Sequence, residues 1–167
     1  MKKNLLNIIL FQLGWFVCIW GGNAYAIAYT TAALLINHFF VIQHERVREW
    51  AFISVVTLTG SLWDAVVVFG DWMNYTKPDI LGIPVWLVCL WTLFATTLCH
   101  SLVWLQRNTI LTALLGLIFG PLSYWAGTQW GGAHMSEPTT TALLVIGLGW
   151  FFLLPCYAKI AQRLNAS

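Results

Sequence analysis

Charged residues are scarce in this sequence, and their scarcity excludes most soluble folds. Asp, Glu, Lys and Arg make up 8% of the 167 residues, while hydrophobic residues make up 59%. A soluble globular domain carries about 25% charged residues. The few Lys and Arg residues form no basic patch, so we expect no nucleic-acid partner. The composition predicts a single integral-membrane domain, residues 1–167, whose main partner is the lipid bilayer.

Cysteine spacing and catalytic motifs are also lacking. The four cysteines lie inside apolar runs and form no Cys-x-x-Cys pair, which argues against a disulfide framework and a zinc knuckle. The sequence has no HExxH, GxSxG, P-loop or histidine-box pattern. These absences favour a protein that is not an enzyme, although they do not exclude an enzyme.

Six apolar runs approach the length of about 20 residues that a helix needs to cross a bilayer. They cover residues 4–21, 25–42, 50–69, 84–104, 109–127 and 139–160. If the N-terminus is cytoplasmic, every Lys and Arg except Lys77 falls on the cytoplasmic side, as the positive-inside rule requires. We therefore predict an all-α, polytopic membrane protein, a bundle of six transmembrane helices with both termini in the cytoplasm.

The start of the chain has a competing interpretation. Lys2-Lys3, an apolar stretch and Ala24-Tyr25-Ala26 imitate a secretory signal with its cleavage site. The stretch is slightly long for a signal and contains Gln12 and large aromatic residues. We therefore expect it to remain as the first span.

Tryptophan is abundant, with 11 residues in the chain. Most Trp and Tyr residues fall near the ends of the predicted spans, as in an interfacial aromatic belt. Trp15, Trp63, Trp91 and Trp150 lie deeper. We expect these four to pack in the core, and lining a cavity is the alternative.

Polar residues inside the spans are the candidates for a binding site, because an ionised Asp at mid-helix costs roughly 2.5–3.5 kcal/mol. Helical spacing places Ser61 and Asp64 on one face of the third span. Lipid cannot satisfy such groups, so we expect them to face an internal polar cavity. At 1.5 Å per residue they fall into two tiers. The predicted ligand-binding residues are Asp64, Ser61, Ser123 and Tyr124 in the outer half, with Asp64 meeting Ser123 and Tyr124, and Asn37, His38, His100 and Ser101 in the inner half.

Two histidines at one depth also suggest a haem or metal site at His38 and His100. A metal site usually needs three or four ligands, and no carboxylate is predicted at that depth. We therefore expect structural, hydrogen-bonded histidines and no cofactor, with haem or metal as the alternative. His44 and His134 fall in predicted loops, and we assign them no role.

Three segments resemble a known family. NIILFQLGWF, FATTLCHSLVWL and GPLSYWAG are similar to segments of a family of small bacterial inner-membrane proteins of unknown function. The resemblance covers nearly the whole chain. It implies a multi-span protein of the bacterial inner membrane and a link to envelope lipid modification, without established site residues.

Three functional hypotheses follow from these patterns. The leading one is a protein that binds, or helps to transport, a small or lipid-like molecule in an intramembrane polar cavity. An enzyme or accessory subunit of envelope lipid modification, with haem or metal at His38 and His100, is the alternative. A structural subunit that needs a membrane-protein partner is the third.

Overall fold

The computed structural model describes residues 2–42, 46–130 and 132–165. Four of its helical segments are long and apolar enough to cross a membrane, the first of them extending through Val41. The elements in chain order are α1 (Lys2–Ile36), α2 (Arg46–Phe69), β1 (Met73–Tyr75), α3 (Val85–Leu98), α4 (Thr109–Gln129), β2 (Ala133–Met135) and α5 (Thr139–Asn165). A π-helical turn (Asn37–Val41) follows α1, and a 3₁₀ helix (Val103–Arg107) connects α3 to α4.

Helix α1 turns back on itself at Gly22. The backbone there has φ 69° and ψ −171°, a region that is essentially restricted to glycine. The Asn7 side chain donates to Asn37 Oδ1 at 2.9 Å, although the two residues are 30 positions apart in sequence. In a straight helix, residues with that separation would lie about 45 Å apart. The Tyr29 hydroxyl likewise donates to the Leu10 carbonyl at 2.8 Å. Helix α1 therefore consists of two arms, 2–21 and 23–36, that lie side by side.

Helix α3 lies at the centre of the bundle. It packs against α1, α2 and α5, and none of its residues is exposed. Its 14 residues extend over about 21 Å, whereas a bilayer core is about 30 Å thick. The helix is therefore surrounded by protein instead of lipid.

The prediction of a fourth span over residues 84–104 was wrong beyond Leu98. The Thr97 hydroxyl donates to the Phe94 carbonyl at 2.6 Å, and such side-chain bonds compete with the helical backbone. The Gln106 side chain then donates to the Leu98 carbonyl at 2.9 Å, which satisfies one of the carbonyls left free at the helix end. Of the other predicted spans, 50–69, 109–127 and 139–160 lie within α2, α4 and α5, while 4–21 and 25–42 follow the arms of α1 and the π-helical turn.

The connection from α2 to α3 and the connection from α4 to α5 pair through an antiparallel sheet, in which Met73 of β1 lies opposite Met135 of β2. We call this end of the bundle the sheet end. We call the other end the basic end, because the N-terminal lysines and the start of α2 lie there.

The first turn of α3 is fixed at the sheet end. Asp79 Oδ2 accepts from the Val85 amide at 3.2 Å, and Asn23 Oδ1 accepts from the Trp86 amide at 3.0 Å. Asn23 also donates to Asp79 at 2.7 Å. These contacts satisfy free amides at the helix start and tie the turn of α1 to α3.

Candidate ligand-binding cavity

A cavity of about 440 Å³ lies between the first arm of α1 and helices α3, α4 and α5. Residues of β1 and β2 close it at the sheet end, and residues of the 3₁₀ helix close it at the basic end. Small-molecule sites in proteins usually have volumes of about 300–1,000 Å³. The cavity is therefore large enough for a small ligand.

The cavity wall is mainly aromatic and aliphatic. Gln12 and Ser123 add uncharged polar groups to it. The aromatic lining residues are Phe11, Trp15, Tyr75, Trp86, Trp91, Phe94, Trp104, Phe119, Tyr124 and Trp150. A cavity is present, but the prediction that its wall is polar was wrong. The alternative prediction that deep tryptophans line a cavity fits Trp15, Trp91 and Trp150.

The hydroxyl groups of α2 that precede Asp64 lie outside the cavity lining. Thr57 donates to Thr92 of α3 at 3.2 Å, and Ser54 donates to the Trp50 carbonyl in its own helix at 3.0 Å. Ser61 has a buried hydroxyl without a hydrogen-bond partner among the described residues. None of these side chains lines the cavity.

The cavity has an open side between the first arm of α1 and α4. These two helices do not pack closely along their lengths, because α1 packs on α3 and α4 packs on α5. Among the lining residues, Phe119 is 61% exposed and Trp104 is 46% exposed, and Gln12 is also exposed. At the sheet end the gap is narrowed by Trp130, whose ring lies 5.2 Å from that of Trp15. The opening therefore faces sideways, onto the apolar outer surface of the bundle.

A buried carboxylate lies directly behind the cavity wall. Asp64 is fully buried, and it accepts hydrogen bonds from Trp91 Nε1 on Oδ2 and from the Tyr124 hydroxyl on Oδ1. Both donors line the cavity, and Asp64 does not. The predicted contact between Asp64 and Tyr124 is confirmed. The predicted contact with Ser123 was wrong, because that hydroxyl donates to the Gly120 carbonyl at 2.7 Å within its own helix.

Two further polar groups lie near Asp64. The Trp150 indole nitrogen is buried, and its N–H has no hydrogen-bond partner among the described residues. The ring of Trp150 lies edge to face with that of Tyr124, at a centroid distance of 6.4 Å. Burial raises the pKa of the Tyr75 hydroxyl in β1 well above its ordinary value, and the charge of Asp64 raises it further. Tyr75 therefore presents a neutral hydroxyl at the sheet end of the cavity.

Toward the basic end, a buried amide joins two of the predicted site residues. The Asn7 side chain donates to Asn37 at 2.9 Å and accepts from the Ser101 hydroxyl at 2.6 Å. It also donates to the Thr96 hydroxyl at 3.1 Å. The sequence prediction placed Asn37 and Ser101 together but did not include Asn7. The available signal was an amide inside the first apolar run.

The two histidines bind neighbouring residues of α2 and do not contact each other. His100 Nε2 lies 2.6 Å from Glu49 Oε1, and His38 Nδ1 accepts from Trp50 Nε1 at 3.2 Å. The expectation that no carboxylate lies at this depth was therefore wrong. Helix α2 begins at Arg46, so Glu49 belongs to its first turn and is buried.

A metal site is not formed by these groups. Within residues 2–42, 46–130 and 132–165, no three His, Cys, Asp or Glu side chains are grouped so that they could hold a metal ion. His134 lies on β2, and His44 lies outside the described residues.

Long apolar helices around a central buried helix define the class of the protein, an all-helical bundle whose described residues include four helices long and apolar enough to cross a membrane. Within that class, the chain belongs to the family described as a protein of unknown function (DUF2878), whose model matches residues 4–156. The resemblance inferred from the sequence is thereby confirmed. No curated protein and no solved structure matches the chain.

Proposed function

We propose that the protein binds a small lipid-like molecule in this cavity and holds it, or helps to transport it, without performing chemistry on it. The observation that carries the proposal is the aromatic cavity of about 440 Å³ that opens sideways between α1 and α4. A polar group buried without a hydrogen-bond partner is costly, and this wall offers few partners. The apolar wall therefore favours an apolar or amphipathic ligand.

The ligand enters from the bilayer in this proposal. The exposed rim residues Trp104 and Phe119 lie on the face of the bundle that lipid would cover. Gln12 and Ser123 supply the few uncharged polar groups in the lining, which suits a ligand with a small polar head and a larger apolar part.

The arrangement in the membrane is part of the same proposal. We infer six crossings, with both termini in the cytoplasm of a bacterium and the bundle in its inner membrane. The two antiparallel arms of α1 support two crossings from one element, and the positive-inside rule favours a cytoplasmic basic end. Green fluorescent protein fused after Ser167 should fluoresce, and alkaline phosphatase inserted at Lys77 should be active. Active phosphatase at the C-terminus would contradict this orientation.

The binding proposal can be tested with two leucines that are neighbours on α4. Leu115 lines the cavity, whereas Leu114 does not and is 46% exposed. Leu115→Trp should fill the cavity, and Leu114→Trp should leave it open. Native mass spectrometry of protein purified in mild detergent should then find a bound lipid-like molecule in the wild type and in Leu114→Trp, but at least tenfold less of it in Leu115→Trp. Equal occupancy in both variants, or an empty wild-type protein, would overturn the proposal.

A further inference from the structure

The carboxyl group of Asp64 has uncharged hydrogen-bond partners. Its two oxygens are bonded to an indole N–H and a phenol O–H, and an ionised carboxylate can accept from both. Hydrogen bonds to an ionised acceptor are stronger than those to a neutral one. The two donors stabilise the negative charge without cancelling it.

Two residues of the cavity wall transmit the electrostatic effect of Asp64 to the cavity. Trp91 and Tyr124 contact the carboxylate at their polar atoms, and they also line the cavity. Donating a hydrogen bond to a carboxylate shifts electron density toward the donor ring, and the face of an aromatic ring already attracts cations. The sheet end of the cavity is therefore electronegative.

No charged lining residue offsets this potential. The described residues that line the cavity include no Asp, Glu, Lys, Arg or His. Electrostatic interactions are weakly screened in a low-dielectric interior. Asp64, one side chain behind the wall, therefore contributes a negative field at that end.

Resting on the proposed function, we propose that the cavity selects an amphiphile with a cationic head group, of the quaternary ammonium class. The head occupies the sheet end against Tyr75, Trp86 and Tyr124, in the manner of an aromatic cage. The rings of Trp91 and Trp150 stack on each other and cover Gly60 and Gly120, so they only close the cavity behind the head. Asp64 supplies the countercharge from behind the wall. The apolar chain extends toward the open side between α1 and α4.

A matched pair of probes tests head-group selection on the wild-type protein, without any substitution. One probe is dodecyltrimethylammonium, and the other is its uncharged isostere with a tert-butyl group in place of the trimethylammonium group. Binding is followed by tryptophan fluorescence in nanodiscs, and the signal of Leu115→Trp is subtracted as the contribution of lipid partitioning. The cation should bind at least about tenfold more tightly than the isostere.

The outcomes separate this inference from the function on which it rests. Equal binding of the two probes, or tighter binding of the isostere, overturns cation selection and leaves the lipid cavity standing. Binding of neither probe above the Leu115→Trp background counts against the proposed function itself.

Two charge variants test the role of Asp64. Asp64→Asn should abolish the tenfold preference for the cation, and Tyr124→Phe should reduce it because the link between Asp64 and the wall is weakened. Asp71→Asn is the matched control, since Asp71 is exposed near the sheet end and has the same formal charge. An undiminished preference in folded Asp64→Asn, or in folded Tyr124→Phe if the first variant does not fold, overturns the assignment of the countercharge. Loss of preference in Asp71→Asn would do the same, because it would place the selecting charge on the surface.

Discussion

The indole rings of Trp91 and Trp150 stack face to face, with centroids 5.1 Å apart and planes inclined by 15°. Each ring also covers a glycine of a neighbouring helix: Trp91 lies against Gly60 of α2, and Trp150 lies against Gly120 of α4. The missing side chains at the two glycines leave room for the pair. Because Trp91 also donates to Asp64, the stack connects helix packing to the cavity wall.

Gly120 should be intolerant of a side chain for lack of room. A Cβ there would overlap the ring of Trp150, whereas a Cβ at Gly127 on the same helix would meet only Ile19, at 4.0 Å. Overpacking a core typically costs about 1–3 kcal/mol, and Ala in place of Gly inside a helix gains about 1 kcal/mol. Gly120→Ala should therefore lower the thermal unfolding midpoint in detergent, and Gly127→Ala should leave it unchanged or raise it. A Gly120→Ala protein as stable as Gly127→Ala would contradict the close contact.

Gly22 should not tolerate a side chain either, but here the reason is the backbone conformation. No atom lies within 4 Å of a Cβ built there, but its φ is 69°. Residues forced into such backbone regions cost about 1–3 kcal/mol. Gly22→Ala should destabilise the hairpin of α1 despite the free space. Limited proteolysis near residue 22 should become faster than in Gly127→Ala, and an unchanged rate would show that the turn does not need this conformation.

Asn7 should contribute more to stability than any surface asparagine. It is fully buried and bonds to Asn37, Thr96 and Ser101. Truncation leaves buried polar partners unsatisfied, at about 1–3 kcal/mol each. Asn7→Ala should lower the unfolding midpoint clearly. Asn4→Ala, an exposed site one turn earlier, is the control, and an equal effect of the two changes would refute the role of the network.

The Glu49–His100 contact should show coupling in a double-mutant cycle. The pair is 2.6 Å apart and its side chains are only 10% and 18% exposed. Contacting residues in one network typically couple by about 0.5–3 kcal/mol. Glu49→Gln and His100→Gln should therefore be non-additive in the free energy of unfolding. Additivity within about 0.5 kcal/mol would mean that the pair contributes no specific interaction.

The sequence predicts the helical class and most helix positions well, because hydrocarbon thickness dictates the length of an apolar run. It does not predict the end of α3, since Leu102 to Leu105 stay apolar and the helix stops through side-chain bonds of Thr97 and Gln106. Depth arithmetic correctly pairs Asp64 with Tyr124. Glu49 was missed because hydropathy assigns a charged residue near a basic turn to the loop.

Sequence patterns also do not predict that the cavity is apolar. Ser61 of α2 was predicted to line the cavity, but it does not, and Thr57 of the same helix bonds across to α3. Periodicity shows that residues share a face, and it does not show whether that face meets a helix or a space. The three-residue strands β1 and β2 are likewise too short for an alternating pattern to reveal them.

The shortness of α3 bears on the order in which the protein is built. A segment of 14 residues is too short to cross a bilayer alone, so its entry depends on neighbours that already shelter its ends. The hairpin of α1 and helix α2 leave the ribosome before α3, and both pack against it in the finished fold. Helices α4 and α5 emerge afterwards. In the proposed membrane arrangement and function, the cavity is therefore enclosed last, and a lipid-like ligand beside the half-built bundle is captured as the final helices arrive.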